Sequence, residues 1–342
     1  MKDLRNHSLL RHNTFGIEAS CRRFVEYESV DDARRLACML TDDDLPLLII
    51  GGGSNLLLTG DFNGTVLHSA IKGKELLPTD EDSQEAVELR CGSGEVWDEV
   101  VDYCVSKNWY GMENLSLIPG EVGASAVQNI GAYGSEVKDL IVKVEAVELG
   151  TGRVVEFSNA ECEYAYRQSK FKHEWKNRFL ITHVTYRLAT GAYRPLLDYG
   201  NIRAELKRKA VENPTAKMLR QTIIDIRNAK LPDPNVEGNA GSFFMNPIVS
   251  REKYEELVAQ YPEMPHYTID DRREKIPAGW MIDLCGWKGK SLGRAGVHSK
   301  QALVLVNRGG ATGQDIVDLC ETIRKDVWNR FGIDIHPEVN VV

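Results

Sequence analysis

The chain has 342 residues, of which 42% are hydrophobic and 27% are charged. These fractions are close to the averages for soluble globular proteins, so they argue against a disordered or a fibrous protein. The length exceeds that at which a single hydrophobic core usually keeps growing, which predicts two or three domains. The formal net charge is −8 and the basic residues are scattered, which argues against a nucleic-acid-binding protein.

The sequence predicts a cytoplasmic protein. The segment from Met1 to Leu10 lacks an apolar core and a small-residue cleavage site, so it does not resemble a signal peptide. No stretch approaches the roughly 20 apolar residues of a membrane-spanning helix. The seven cysteines are odd in number, widely spaced and never arranged as CxxC. We therefore expect reduced, mostly buried thiols, no metal site and no membrane insertion.

The first predicted elements, between residues 23 and 68, are a strand, a helix and two more strands. Asp31 is the predicted cap of the helix, whose apolar residues recur over 33–40. A short buried strand is predicted at 47–50 and another at 56–58.

The middle of the chain predicts further strands around one helix near residues 96–105. The predicted strands are Ala86–Cys91, Val142–Leu149, Val154–Phe157 and Phe179–Leu188. The interval from Gly111 to Gly134 is rich in glycine and has little periodicity. Irregular segments of this length are usually functional, so we expect it to line a ligand.

The last third of the chain is predicted to be mainly helical, with a strand at its end. The predicted features are a helix after Pro214, a glycine-rich loop at 233–247, a helix starting at Ser250, a weakly patterned stretch to Pro277, an amphipathic helix capped by Thr312 and a strand at 333–341.

Two glycine-rich segments could hold phosphate groups. Residues 51–55 (GGGSN) offer consecutive backbone N–H groups, as an anion-binding nest does. Because a strand is predicted after this turn, it differs from the turn of a Rossmann unit, which opens a helix. Residues 118–134 supply amide, hydroxyl and backbone donors. A tight turn and an ordinary surface loop are the structural alternatives, but two such segments in one chain favour a dinucleotide cofactor.

Three side chains are candidates for catalysis. Ser242 lies between small residues and two phenylalanines, which is typical of a buried reactive serine or of a simple turn. Arg167 could hold a carboxylate in a bidentate pair and Glu338 could be a buried acid, although such residues are more often surface charges. A hydrolase is disfavoured, because the SxxK pattern at 169–172 has no accompanying KTG and no GxSxG occurs.

Seven motifs occur in the order found in one enzyme family. They are NTFG at 13–16, GGGSN at 51–55, IPGEVGASAVQNIGAYG at 118–134, YAYRQSKFK at 164–172, KLPDP at 230–234, GNAGSFFMNP at 238–247 and PEV at 337–339. In this set, which spans nearly the whole chain, the sequence resembles the UDP-N-acetylenolpyruvoylglucosamine reductase (MurB) family.

The resemblance implies an α+β fold: a two-subdomain FAD-binding fold of the vanillyl-alcohol oxidase (PCMH) type with a C-terminal α+β substrate-binding domain. The implied domains are 1–70 and 71–227 for FAD, with strand 332–342 rejoining the first, and 228–331 for substrate. The implied reaction is NADPH-dependent reduction of UDP-N-acetylglucosamine enolpyruvate to UDP-N-acetylmuramate through non-covalent FAD, in peptidoglycan precursor synthesis. A shared cleft for NADPH and substrate would explain why no Rossmann unit is visible. A monomer is implied.

The resemblance also assigns individual residues. Ser242 matches the proton donor, and Arg167 and Glu338 match the other two active-site residues. Substrate contacts are implied for Tyr199, as in the longer subtype of the family, and for Lys230, Asn246 and Gln301. Met245 departs from the family, because close relatives carry lysine there. The implied cofactor-binding residues are Gly51, Gly52, Gly53, Ser54, Asn55, Pro119, Gly120, Gly123, Ser125, Gln128, Asn129, Gly131, Ala132, Tyr133 and Gly134.

Two alternatives stay open at the level of sequence. One is an oxidase of the same fold that returns electrons to oxygen, for which Ser242 and Glu338 would be incidental. The other is a non-enzymatic nucleotide-binding protein that has kept the two glycine-rich segments. Reduction by NADPH separates the enzymes from the binding protein, and the electron acceptor separates the two enzymes.

Overall fold

The computed structural model describes residues 1–78 and 85–342. The strands are β1 (Lys2–Ser8), β2 (Ser20–Tyr27), β3 (Leu47–Ile50), β4 (Leu56–Leu57), β5 (Phe62–Ser69), β6 (Lys74–Leu77), β7 (Ala86–Gly92), β8 (Gly131–Ala132), β9 (Ser135–Glu136), β10 (Ile141–Glu148), β11 (Val154–Ser158), β12 (Phe179–Ala189), β13 (Ile248–Ser250), β14 (Tyr267–Asp270), β15 (Arg273–Lys275), β16 (Ser291–Leu292), β17 (Ala295–Val297), β18 (Leu305–Asn307) and β19 (Asn340–Val341).

The helices are α1 (Val30–Met39), α2 (Trp97–Ser106), α3 (Val122–Gln128), α4 (Ile202–Arg208), α5 (Ala216–Lys230), α6 (Arg251–Gln260), α7 (Ala278–Leu284) and α8 (Gly313–Phe331). Short 3-10 helices lie at Leu10–His12, Asp42–Asp44, Glu113–Leu115, Val137–Asp139, Ala160–Cys162 and Lys170–Lys172. In the two described ranges, no helix combines the length and the apolar character that crossing a bilayer requires.

The chain forms two compact units. Unit 1 consists of Met1–His7, Cys21–Gly52 and Asn63–Ala229, and unit 2 consists of Ser8–Ser20, Gly53–Phe62 and Lys230–Val342. The division into three domains that the family resemblance implies stays a prediction.

The first sheet of unit 1 has the strand order β1-β2-β5-β3, and β3 runs parallel to β5. Helix α1 buries Leu36 and its alanine neighbours in a core that also contains Val25 and Leu67. The predicted cap was wrong by two residues, because Ser29 Oγ accepts the hydrogen bond from the Asp32 N–H at 3.1 Å. Asp31 instead lies in the first turn, where its negative charge complements the helix dipole.

The second sheet of unit 1 is antiparallel, with the order β11-β10-β12-β7-β6. The predicted strands of this region are confirmed to within one residue at each end. Strand β12 is buried along most of its length, as expected for a central strand covered on both faces. The core of this sheet includes Trp97 of α2, whose ring meets Tyr186 edge-on at a centroid distance of 5.7 Å.

The predicted irregular segment 111–134 contains a helix that the sequence pattern did not reveal. Helix α3 is short, and its second residue, Gly123, has low helix propensity. A Cβ on Gly123 would lie only 2.9 Å from Ser93 Cβ, so close packing requires glycine here. Such packing leaves no periodic pattern in the sequence. The helix ends at Asn129, which has left-handed backbone angles with φ of 46°.

Unit 2 is built around α8, whose buried side chains include Ile316, Leu319 and Phe331. The predicted cap is confirmed as a capping box: Thr312 Oγ1 accepts from the Asp315 N–H at 3.2 Å, and the Asp315 carboxylate accepts from the Thr312 N–H at 2.7 Å. The helix predicted to start at Ser250 begins one residue later, at Arg251, and Ser250 is its N-terminal cap.

The predicted strand at 333–341 is only partly confirmed. Regular pairing is confined to β19, which runs parallel to β4, while Pro337 forms an isolated bridge with Phe244. The weakly patterned stretch before Pro277 contains β14 and β15, which pair in a small sheet with β13. Every residue of β14 is exposed, so the alternation of apolar and polar residues in this strand does not correspond to a buried face.

All seven cysteines lie in the described ranges and are free thiols. Five of them are buried, whereas Cys38 is exposed and Cys285 is half-buried, which confirms the expectation of mostly buried thiols. Burial raises the pKa of Cys104 to about 12, so this thiol stays protonated at neutral pH.

Candidate active site

The glycine turn at 51–55 joins β3 to β4, so the prediction that it connects two strands is confirmed. In unit 1, its first two glycines lie against the second glycine-rich segment. A Cβ on Gly51 would be 3.0 Å from Ala124 Cβ, and one on Gly52 would be 3.5 Å from Gly120 Cα. The two segments that could each hold a phosphate group therefore form one surface in which side chains at 51 and 52 would intrude.

In unit 2, the rest of the turn is fixed to the NTFG motif. Gly53 has φ of +65°, and a Cβ there would lie 1.9 Å from the His12 carbonyl oxygen. Its own carbonyl accepts a hydrogen bond from the Thr14 N–H at 3.1 Å. Thr14 Oγ1 then donates to the Asn239 carbonyl oxygen at 2.6 Å. Three of the sequence motifs are thus joined through one threonine.

Residues 131–136 form a hairpin from β8 and β9. Its two turn residues, Tyr133 and Gly134, have φ values of 49° and 81°, as a type I′ turn requires. The preceding Asn129 is buried and donates through Nδ2 to the Ala165 carbonyl oxygen at 2.8 Å. The hairpin is therefore tied to the YAYR motif that carries Arg167.

Arg167 lies against this hairpin in unit 1. Its Nη2 donates to the Gly131 carbonyl oxygen at 2.7 Å and its Nη1 to that of Asn129 at 3.3 Å. A Cβ on Gly131 would be 3.3 Å from Nη1. The φ of Arg167 is 58°, a left-handed value that is uncommon for arginine and that clusters at functional sites. Two carbonyl oxygens thus fix the orientation of the guanidinium.

A second arginine, Arg227 of α5, joins this region although the sequence analysis did not identify it. Burial lowers its pKa below the usual value, despite the opposing effect of a hydrogen bond with Tyr133, and the positive charge of Arg167 lowers it further. Among the described residues, its buried Nε has no hydrogen-bond partner. A desolvated guanidinium of this kind favours an anionic ligand. The sequence offered one indication of Arg227: it lies three residues before Lys230, on the same face of the helix.

Tyr199 lies beside the same hairpin. A Cβ on Gly134 would be 3.3 Å from Tyr199 Cβ, and one on Gly200 would be 3.9 Å from Tyr133 Cδ1. Tyr199 is 44% exposed. The predicted substrate-side tyrosine is therefore next to Tyr133 and in the same unit as Arg167 and Arg227.

In unit 2, Ser242 and Glu338 lie on adjacent extended segments. The Phe243 N–H donates to the Leu303 carbonyl oxygen, and the Phe243 carbonyl oxygen accepts from the Glu338 N–H, both at 2.7 Å. Of the two interpretations of Ser242, the buried serine is excluded, because Phe243 and Phe244 fill the core while Ser242 is exposed. Glu338 is half-buried rather than buried.

Two of the remaining predicted substrate contacts, Asn246 and Gln301, are hydrogen-bonded in unit 2 through their side-chain oxygens. Asn246 Oδ1 accepts from the Ala278 N–H at 3.0 Å, and Gln301 Oε1 accepts from the Leu303 N–H at 3.3 Å. Lys230 ends α5 and is exposed. Asn55 Nδ2 donates to the Glu338 carbonyl oxygen at 3.4 Å, which links the glycine turn to the C-terminal motif.

Comparison with known proteins identifies the family. Residues 233–342 match the model of the UDP-N-acetylenolpyruvoylglucosamine reductase C-terminal domain, and residues 21–158 match an FAD binding domain. A reductase of that name from Bacteroides fragilis is 56% identical over 98% of this chain and 99% of its own length. The chain belongs to the UDP-N-acetylenolpyruvoylglucosamine reductase family. A relative from Flavobacterium johnsoniae is 44% identical over 98% of both chains.

The family has the fold observed here. The crystal structure of the family member from Thermus caldophilus matches with a TM-score of 0.65 and 20% identity, covering 99% of this chain and 98% of that one. Together with the two matched models, this confirms the predicted α+β class, in which an FAD-binding region precedes a C-terminal domain. The chain is an FAD-dependent oxidoreductase of this family. The longer subtype and the roles of single residues stay predictions.

The residues of the matched region fit FAD mainly through backbone and small side chains. The glycine surface formed by 51–52 and 120–124 gives a phosphate chain close access to the main chain. Ser125, by contrast, is buried and turns its hydroxyl inward, to the Val122 carbonyl oxygen at 2.7 Å and the Tyr186 hydroxyl at 3.1 Å. Gly123 packs on Ser93. These two predicted cofactor residues therefore support the surface from behind.

Proposed function

We propose that this chain reduces UDP-N-acetylglucosamine enolpyruvate to UDP-N-acetylmuramate with NADPH, as a step of peptidoglycan precursor synthesis. The proposal depends on one observation, the 56% identity over nearly the full length of both chains to a reductase named for this substrate. The side-by-side glycine segments and the two arginines beside the hairpin agree with a diphosphate cofactor and an anionic substrate.

Bound FAD would supply hydride transfer, taking hydride from NADPH and giving it to the outer vinyl carbon of the substrate. Residues 51–55 and 118–134 would hold the cofactor. The task of the protein is to position these groups and to exclude unproductive geometries. No separate pyridine-nucleotide domain is needed if NADPH and substrate enter the same cleft in turn.

Ser242 is the proposed proton donor to the substrate carbon beside the carboxylate. A serine hydroxyl is a poor acid, so it serves only because the carbanion-like substrate intermediate is strongly basic. The exposure of Ser242 supports this role, since the hydroxyl is accessible to a ligand. The hydrogen bonds of Phe243 on both sides restrict the backbone and so favour a fixed Oγ position.

Arg167 is proposed to bind and polarise the substrate carboxylate, which stabilises the negative charge that develops on it. Its hydrogen bonds to two carbonyl oxygens orient the guanidinium. Glu338 is proposed to stabilise the charge that develops on the substrate carboxylate, the role that the family resemblance implies. Arg227 is proposed to add a second positive charge for the anionic substrate, in keeping with its desolvated position beside Tyr133.

Tyr199, Lys230, Asn246 and Gln301 are proposed to bind the nucleotide part of the substrate. The exposure of Tyr199 and Lys230 suits residues that meet a ligand from solvent. Met245 supplies no charge where relatives have lysine, so the positive charge for the diphosphate is assigned to Lys230. The assignment would be supported if Lys230→Met lowered the affinity of the enzyme for the substrate, whose diphosphate this lysine is proposed to bind. Met245→Ala should leave that affinity unchanged.

The decisive experiment follows the flavin spectrum under anaerobic conditions. Purified protein is reduced with one equivalent of NADPH and then mixed with UDP-N-acetylglucosamine enolpyruvate. Prompt return of the oxidised spectrum would establish reductant and electron acceptor together. A flavin that stays reduced until air is admitted would contradict the proposed substrate and favour an oxidase.

We also propose that the enzyme works in the cytoplasm as a monomer without nucleic-acid partners. The substrate and NADPH are cytoplasmic metabolites, and the net charge of −8 disfavours binding to polyanions. Light scattering during size-exclusion chromatography would test the oligomeric state, and a mass near twice 38.4 kDa would contradict a monomer.

A further inference from the structure

A cluster of three titratable side chains reaches the glycine turn in unit 1 through Glu121. His68 of β5 has Nδ1 3.0 Å from Glu26 Oε2 and Nε2 3.2 Å from both carboxylate oxygens of Glu121. All three side chains are largely buried, with 12 to 14% of their area exposed. A Cβ on Gly51 would lie 3.3 Å from Glu121 Oε2. Glu121 is therefore a carboxylate at the edge of the turn.

The hydrogen-bond geometry calls for a protonated imidazole. A neutral imidazole has one N–H donor and one acceptor nitrogen, whereas the imidazolium has two donors. Both ring nitrogens of His68 face carboxylates, and an ionised carboxylate can only accept. The imidazolium satisfies both contacts, while a neutral ring would leave one nitrogen lone pair facing a carboxylate.

The surroundings of His68 favour the charged form. Burial alone would lower its pKa, but the hydrogen bonds and charges of Glu121 and Glu26 outweigh burial and raise it. Lys2 of β1 binds the far oxygen of Glu26. Further neighbours of His68 include Ile50, its partner on β3, and the Phe24 ring of β2 at a centroid distance of 6.2 Å, which in turn contacts His7 at 4.6 Å. Glu28 interacts electrostatically with Lys2, and Tyr27 with Glu121.

Among Lys2, Glu26, His68 and Glu121, the charges balance only when His68 is protonated, and Glu28 beside Lys2 adds a further negative charge. Lys2 and the imidazolium then offset Glu26 and Glu121, whereas a neutral imidazole leaves one net negative charge. A negative charge at the edge of the turn opposes the binding of a second anion there, and partial burial weakens solvent screening. A cofactor diphosphate is such an anion.

We propose that His68 is a positioning residue for the cofactor, whose imidazolium neutralises Glu121 and holds it at the glycine turn so that the turn accepts a diphosphate. The inference rests on the proposed function only in that the cofactor is FAD. It predicts that FAD binding is linked to the protonation of His68. Since the charged form favours binding, affinity is highest below the pKa of His68 and falls as the pH rises through it.

The test measures FAD release from purified holoenzyme by the fluorescence of free flavin after dilution, between about pH 6 and about pH 9, which brackets the titration of a histidine with a raised pKa. The dissociation constant of the wild-type protein is expected to rise about tenfold across this range, the size of one ion-pair coupling in a partly buried site. His68→Asn is expected to bind FAD weakly at all pH values, without this slope.

Glu121→Gln separates charge from structure. This variant removes the negative charge, so FAD affinity should equal or exceed that of the wild-type protein and should lose the pH slope. The double variant His68→Asn with Glu121→Gln should recover the affinity that His68→Asn loses. His183→Asn is the matched control, since His183 is also largely buried. It is bonded to Arg90 and lies 3.7 Å from Glu145.

The outcomes are distinguishable. A wild-type pH slope that persists in His68→Asn, or a double variant that binds FAD more weakly than either single variant, would overturn the role of His68. A purified wild-type protein without bound flavin would instead count against the proposed function. Far-UV circular dichroism of each variant confirms that loss of FAD does not reflect loss of the fold.

Discussion

The two glycine-rich motifs at 118–134 and 238–247 use their polar residues in opposite ways. In the first, Ser125 and Asn129 are buried and bond inward, to Tyr186 and to the Ala165 carbonyl oxygen. In the second, the backbone groups of Phe243 are bonded to Leu303 and Glu338, while the side chain of Ser242 is exposed. The first motif thus contributes shape, and the second contributes one accessible functional group.

This difference teaches how glycine-rich segments divide their tasks. A motif that must approach a cofactor closely needs small residues, with polar side chains directed behind the surface. A motif that must deliver one proton needs a fixed backbone and an outward side chain. Substitutions that exchange shape or chemistry in each motif can therefore break or sharpen the comparison.

The largest effect is expected for Ser242→Ala. Removing the proposed proton donor should slow reoxidation of the flavin by substrate about a thousandfold, whereas reduction by NADPH should be unchanged. Anaerobic stopped-flow absorbance measures the two half-reactions separately. Because Ser242 is exposed, the free energy of unfolding should stay within about 0.5 kcal/mol of the wild-type value. Normal reoxidation would remove Ser242 from the mechanism.

Gly238→Ala should be the most destabilising change in the second motif. A Cβ there would lie 2.1 Å from the Phe15 carbonyl oxygen, and a backbone atom cannot move aside as a flexible side chain can. We expect a loss of about 3 kcal/mol in the free energy of unfolding, measured by urea denaturation. Gly60→Ala is the control, because a Cβ at that position meets nothing within 4 Å in the described part of the chain. Equal stability of the two variants would contradict the close approach.

Arg227→Gln should weaken substrate binding without destabilising the fold. Loss of one charged hydrogen bond predicts an increase in KM of about tenfold, with little change in the reduction of flavin by NADPH. The guanidinium is desolvated and repelled by Arg167, so its neutral replacement should leave the free energy of unfolding equal or higher. Arg208→Gln, which removes an exposed arginine bonded to Glu205, is the control for loss of charge. An unchanged KM would mean that Arg227 does not meet the substrate.

The sequence predicted those features that depend on local pattern. Apolar runs located β10 and β12, and the spacing of Thr312 and Asp315 located the start of α8. The motifs also identified Arg167, Ser242 and Glu338 as candidates. Helix α3 was missed because its small residues allow close packing against Ser93 and do not form a periodic apolar pattern.

Side-chain direction and tertiary partners could not be predicted in this way. The inward hydroxyl of Ser125 depends on Tyr186, which is 61 residues away in the chain, and the exposure of Ser242 depends on two phenylalanines that fill the core instead. Arg227 acquires its significance from Tyr133 and Arg167, to which no local pattern connects it. The environment of each of these residues is set by contacts that form only on folding.

The smallest effect is expected for Ser125→Ala. This variant tests whether the polar side chains of the first motif are unnecessary for FAD binding. If the first motif contributes shape only, removing this hydroxyl should leave FAD affinity unchanged, although the residue belongs to the segment implied to bind the cofactor. The buried Tyr186 hydroxyl would lose a hydrogen-bond partner, so the free energy of unfolding should fall by about 1 kcal/mol. Flavin fluorescence after dilution and urea denaturation measure the two quantities on one preparation. A marked loss of FAD with unchanged stability would show that the hydroxyl turns outward to the cofactor, and the contrast between the two motifs would fail.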